Sequence, residues 1–223
     1  VVVEPRPRSS GSPSAASTAA TLPADLQHEQ SIRVQLLYLV GAFLWALNFV
    51  MDTWVAPHGN RGPYHGLIEG LAFALSIAAV LVVRYAPLSH RLKVDLGAVL
   101  IVPHALALAL MNSWMPQATT QRPLSGITVL ILFVGMLAPV RPRRMLVSGL
   151  VAAAMDPLAV WIAHWRGLPV PDPLTTVLMF YPNFVCAFLA VIPAQVLYRL
   201  GGKIREARAL GSYQLVERLG EGG

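Results

Sequence analysis

LTTVLMFYPNFVCAFLAVIPAQVLY, residues 174–198, runs for 25 residues without a Lys, Arg, Asp or Glu. As a helix it would be roughly 37 Å long at 1.5 Å per residue. That exceeds the ~30 Å hydrocarbon core of a bilayer, and water offers no reason for such a run. Working outward, five more apolar stretches precede it: Val34–Val55, Tyr64–Val83, Val94–Met111, Leu124–Val140 and Met145–His164. The fourth is the shortest, but Ile127–Leu137 is almost wholly apolar. With Leu174–Tyr198 they make six predicted spans and more than half of the chain. The composition agrees: 55% of residues are apolar and 13% charged, against about 25% charged in soluble domains. The expected fold class is an all-α membrane protein of six transmembrane helices.

Several other classes are excluded. Cys186 is the single cysteine, so no disulfide framework exists. The spans lack the period-2 alternation of an outer-membrane barrel. The first span begins too late, and runs too long, for a secretory signal.

The net charge of +6 would suggest nucleic acid only if it were gathered on one soluble face. It sits instead at membrane edges. With six spans, Arg61, Arg122 and Arg166 lie on one side, and the other fourteen of the 17 Lys and Arg lie on the side of the chain ends. Basic residues favour the cytoplasmic side of short loops. Both termini are therefore expected in the cytoplasm, in a plasma (inner) membrane. The basic edge faces lipid headgroups, and no nucleic-acid partner is expected.

Residues 1–33 are read as a disordered cytoplasmic tail, because Ser9–Leu22 is rich in Ser, Ala, Pro and Thr without periodicity. The chain opens on Val1, so the true start is expected to lie upstream. Residues 199–211 form a basic juxtamembrane linker. Leu197, at the end of the span, and Leu200, Ile204 and Ala207 in the linker share one side of a helix, with Lys203, Arg205 and Arg208 elsewhere around it. Its plain reading is an interfacial helix with snorkelling cations; the sharper one is a signalling helix that pairs in a dimer.

The last residues read Tyr213-Gln-Leu-Val-Glu-Arg-Leu-Gly-Glu-Gly-Gly223. Alternation over Tyr213–Arg218 fits a short strand, and the glycines suit a turn that lets backbone approach phosphate. This segment resembles the opening of a bacterial eukaryotic-type serine/threonine protein kinase domain. The resemblance implies that residues 212–223 begin a kinase domain, with Gly220, Gly222 and Gly223 at the start of its ATP-binding glycine-rich loop. It also implies ATP and Mg as cofactors, and protein substrates, for the parent kinase. The chain stops before the third glycine, the ATP-binding Lys, the catalytic Asp and Asn, and the Asp-Phe-Gly. It is therefore expected to be a truncated kinase, with no catalytic residue and no cofactor of its own.

Ionisable groups inside spans are costly and mark functional hypotheses. Asp52, His65, Glu69 and His164 are candidates for a pocket at the outer edge, with His65 and Glu69 four apart on one helix face. Their donor atoms suit zinc or a histidine pH switch, but no strict ligand spacing such as His-Glu-x-x-His is present, so no metal is assigned. His104 and Asp156 lie mid-span and are expected to form a hydrogen-bonded pair. His58 and Asp172 sit at the outer edge. Gly62, Gly66 and Gly70 make a small-residue stripe, expected to pack within the bundle. Pro103, Pro157, Pro182 and Pro193 are expected to kink their helices, and the five tryptophans to form an interfacial belt.

Three functions compete. The first is a membrane sensor or anchor for a cytoplasmic kinase, with a homodimer through the helices or linker. The second is a small transporter or channel using Asp156, His104 and Glu69. A membrane-embedded enzyme ranks last, since no nucleophile elbow or metalloprotease motif is present.

Overall fold

The structure, a computed structural model, describes residues 24–55, 64–113, 125–138 and 140–211. The expected tail over residues 1–23 and the kinase-like residues 212–223, with Gly220, Gly222 and Gly223, lie outside them. Among the described residues all regular structure is helical: α1 Ala24–Val50, α2 His65–Tyr85, α3 His90–Val99, α4 Ile101–Ser113, α5 Gly126–Leu137, α6 Pro142–Ala153, α7 Met155–Trp165, α8 Pro173–Leu189 and α9 Val191–Gly211. A π-helical turn, Met51–Val55, closes α1.

These nine helices form six helical segments. Three segments are broken in the middle, at Leu100, Ala154 and Ala190, and each break stands three residues before a proline: Pro103, Pro157 and Pro193. A proline lacks its N–H, and its ring presses on the carbonyl four residues back. Those carbonyls belong to Val99, Ala153 and Leu189, the last residues of α3, α6 and α8. Helix α8 runs through Pro182 unbroken.

Starts are set locally. Ser89, Ser125 and Asp172 cap α3, α5 and α8, accepting bonds from the backbone N–H of Leu92, Ile127 and Thr175. Pro142 and Pro173 open α6 and α8, where a missing N–H costs nothing. Helix α7 stops at Gly167, whose φ of 73° a side chain would resist.

Two expected boundaries shift. Residues 24–33 are helical, so the tail cannot reach to 33; a Glu29–Arg33 ion pair one turn apart and contacts of Gln30 and Ser31 with His90 support this extension. The fourth span is shorter than Leu124–Val140. Capped by Ser125 and ended at Leu137, α5 has 12 residues, roughly 18 Å. Five segments are long and apolar enough to cross a membrane: His28–Val55, His65–Tyr85, Leu92–Ser113, Pro142–Trp165 and Pro173–Leu200. The protein is a multi-pass, all-α membrane protein in which α5 is the short apolar member, packed among α4, α6, α8 and α9.

Helices α1 and α2 are antiparallel neighbours: Asp52 meets His65, Asn48 meets Glu69, and Gly41 lies beside Ser76. Helix α3 runs parallel to α1, with Gln30 near His90 and Val34 against Gly97. The Tyr38 hydroxyl donates to the Gly97 carbonyl at 3.0 Å and locks this pair. The main core joins Val34, Val83, Ile101, Ile127, Ile131, Val134 and Met145 with a run of buried alanines. Large apolar side chains such as Phe43, Leu71, Val129, Val177 and Phe188 point outward, as lipid-facing residues do.

Close packing falls to residues the sequence did not single out. A Cβ on Gly135 would lie 2.7 Å from Ala190 Cβ and 2.9 Å from its carbonyl oxygen, and one on Gly149 would lie 3.2 Å from Ala187 Cβ. The expected packing stripe is corrected: Gly66 and Gly70 are exposed, and a Cβ on Gly70 would meet nothing within 4 Å. Gly62 lies outside the described residues. Of the tryptophans, Trp45 is buried in a second small core with Ala72, Ala107 and Met111, while Trp54 and Trp165 are exposed at helix ends.

Candidate metal centre

Four polar side chains meet where the end of α1 faces the start of α2. Asn48 and Asp52 are one turn apart on the first, His65 and Glu69 one turn apart on the second, so each helix contributes an i, i+4 pair to a shared face. Asp52 stands in the π-helical turn that closes α1. Such turns change the direction in which a side chain leaves a helix and recur at functional sites.

His65 Nε2 lies 2.7 Å from Asp52 Oδ2 and 3.7 Å from Glu69 Oε1. The Asn48 amide donates to Glu69 and reaches Asp52 Oδ2 at 3.5 Å. One ligand atom from each of Asp52, His65 and Glu69 can be chosen so that all lie within 4.8 Å of one another. His65 and Glu69 are buried, and the Asp52 side chain is about a third exposed (31%). His65 Nδ1 is buried without a hydrogen-bond partner among the described residues. The cluster is therefore accessible at Asp52, enclosed at Glu69, and one partner short at the imidazole.

Two further networks are interior. In the first, His104 Nδ1 donates to the Leu100 carbonyl, at the helix break, over 2.7 Å. Its Nε2 lies 2.8 Å from Ser76 Oγ, which is also 3.0 Å from the Ala72 carbonyl. Tyr38 and Trp45 flank the imidazole at ring distances of 5.8 and 6.4 Å. In the second, Thr128 donates to Asn183 Oδ1 at 2.6 Å, and Asn183 Nδ2 donates to Asp156 Oδ2 at 2.7 Å. All three of these side chains are buried.

The expected outer pocket thus divides. Asp52, His65 and Glu69 come together. His164 stays exposed in the last turn of α7, outside the cluster. The expected His104–Asp156 pair is replaced by two separate networks, because His104 has both nitrogens engaged by Ser76 and Leu100 while Asp156 accepts from Asn183. Asp172 caps α8, and hydrogen bonds from the Thr175 hydroxyl and backbone hold its carboxyl below the ordinary range. His58 lies outside the described residues. Sequence reasoning missed Asn48, Ser76, Thr128 and Asn183. Only Asn48 left a signal, as the residue one turn before Asp52.

No protein-family model, curated protein or solved structure matches the chain.

Proposed function

We propose that the chain is the membrane sensor or anchor region of a bacterial eukaryotic-type serine/threonine protein kinase. The observation that carries the reading is the kinase-like Tyr213–Gly223 segment together with what leads into it. Helix α9 runs from Val191 to Gly211, continuing the last span some eleven residues, roughly 16 Å, past its apolar stretch. A rigid helix transmits rotation or displacement of a span in a way that a flexible linker cannot. The basic residues of 199–208 suit the anionic cytoplasmic leaflet, and the cytoplasm is where ATP and Mg are available to a parent kinase. The bundle would bias the position or pairing of two α9 helices in a homodimer, and so the access of two kinase domains to each other and to protein substrates. The inner membrane and cytoplasmic termini belong to this proposal.

A transporter reading rested on Asp156, His104 and Glu69. Asp156 and His104 are spent on side-chain and backbone partners inside the bundle, which favours packing over a pathway. The coding sequence downstream of Gly223 tests the kinase reading. A third glycine followed by Val-Ala-x-Lys is expected; a stop codon directly after Gly223 refutes it.

A further inference from the structure

We propose that Asp52, His65 and Glu69, assisted by Asn48, form a binding site for one divalent transition-metal ion of the zinc class, at the end of the α1–α2 hairpin. The inference stands on this cluster alone and does not depend on the kinase reading.

Three observations converge. The first is charge. Two carboxylates face one imidazole and one neutral amide, and among the described residues both ion pairs they make are with His65. Two acidic side chains held together with no Lys or Arg partner among the described residues are a setting that a dication suits. The second is donor type and spacing. One imidazole nitrogen and two carboxylate oxygens are a familiar zinc set. For ligand bonds of about 2.1 Å the edges of a tetrahedral site are roughly 3.4 Å. The sides His65–Asp52 (2.7 Å) and His65–Glu69 (3.7 Å) bracket that value, and ligand atoms of all three residues lie within 4.8 Å of one another. The third is placement. His65 is buried and directs Nε2 at both carboxylates, so a coordinating nitrogen is already held in the cluster, with Glu69 enclosed beside it and Asp52 at the opening.

The fourth position falls to Asn48 or to water. A half-turn of the Asn48 amide presents Oδ1 in place of Nδ2. The partly exposed Asp52 supplies the entry side. The imidazole favours zinc-class ions over Ca²⁺ or Mg²⁺, which prefer six or more oxygens. A bound ion would tie the π-helical turn of α1 to the first turns of α2.

The test uses the whole chain, purified in detergent without a histidine tag and stripped of metal. Co²⁺ is titrated while visible absorption is followed, then displaced by Zn²⁺. The expected result is one Co²⁺ per chain with a tetrahedral d–d spectrum, displaced by an equimolar amount of Zn²⁺ and not by excess Ca²⁺ or Mg²⁺. Glu69→Gln and Asp52→Asn keep shape and hydrogen-bonding capacity while removing charge. Each should weaken binding at least tenfold, and His164→Ala should leave it unchanged. Thermal melting of the metal-free variants controls for folding; should Glu69→Gln not fold, the more exposed Asp52→Asn carries the test. Absence of binding, binding unaffected by the Asp52 variant, or a preference for Ca²⁺ would each overturn the proposal.

Discussion

The protein holds two clusters built from similar chemistry and completed to different degrees. In the α5–α7–α8 region, Asp156, Asn183 and Thr128 form a buried chain in which the amide uses its oxygen toward one partner and its nitrogen toward the other. At the α1–α2 end, Asp52, Glu69, Asn48 and His65 also combine carboxylate and amide, but two carboxylates compete for one amide nitrogen and one imidazole nitrogen, and a second imidazole nitrogen is left over. The first arrangement is a packing device: it joins α5, α7 and α8 through buried side chains. The second has spare ligand capacity and an opening. What separates structure from site here is whether donors and acceptors balance.

The comparison can be broken from its packed side. Asn183→Leu should have the largest effect, because it removes the partner that Asp156 and Thr128 share. A loss of about 3 kcal/mol is expected in reversible unfolding in mixed micelles, from roughly 1–3 kcal/mol per buried hydrogen bond broken on one side; a loss below about 0.5 kcal/mol would mean that the network contributes little. Gly135→Ala should cost about 2 kcal/mol, since the Ala190 backbone oxygen cannot step aside as a flexible side chain could. At the other extreme, Gly70→Ala should change stability by less than about 1 kcal/mol, and in the stabilising direction, because the added methyl meets open space and alanine is the better helix former. Equal effects at Gly135 and Gly70 would show that α5 does not pack as described.

A smaller effect is expected at the opposite end of the hairpin. His90 donates through Nε2 to Gln30 Oε1 at 2.7 Å, and burial, then the nearby Lys93, lowers its pKa below 6.5. The unfolded chain therefore binds this proton more readily than the folded one. The contribution is fully present above pH 6.5 and declines as pH falls from there through the lower native value. Unfolding measured against pH should thus be steeper below pH 6.5 in the wild type than in His90→Gln; parallel curves would remove His90 from the account.

Much of the fold was legible in the sequence because length and hydropathy act locally. The six apolar segments and the helix face shared by His65 and Glu69 follow from residues within a few positions of one another. The helix breaks were half legible: prolines marked them, but the break lies where the displaced carbonyl is, three to four residues earlier, and Pro182 makes none. Partner choice was not legible. Whether His104 finds Asp156 or Ser76, and whether Gly70 or Gly135 meets another helix, depends on the rotation of each helix about its axis. Nothing in one helix's own sequence fixes that rotation. Asn48 was passed over because a neutral amide in an apolar run carries no charge signal, though it contacts both carboxylates of the cluster.

The proposed function depends most on direction: it requires that the chain cross six times, the short α5 included, and so place α9 in the cytoplasm with the N-terminal end. Fusing a reporter pair that is active only inside or only outside the cell, after Gly211 and ahead of Ala24, tests this directly. Cytoplasmic activity at both junctions is the predicted result. Cytoplasmic activity ahead of Ala24 with external activity after Gly211 would mean that α5 does not cross, and would contradict the sensor–kinase reading.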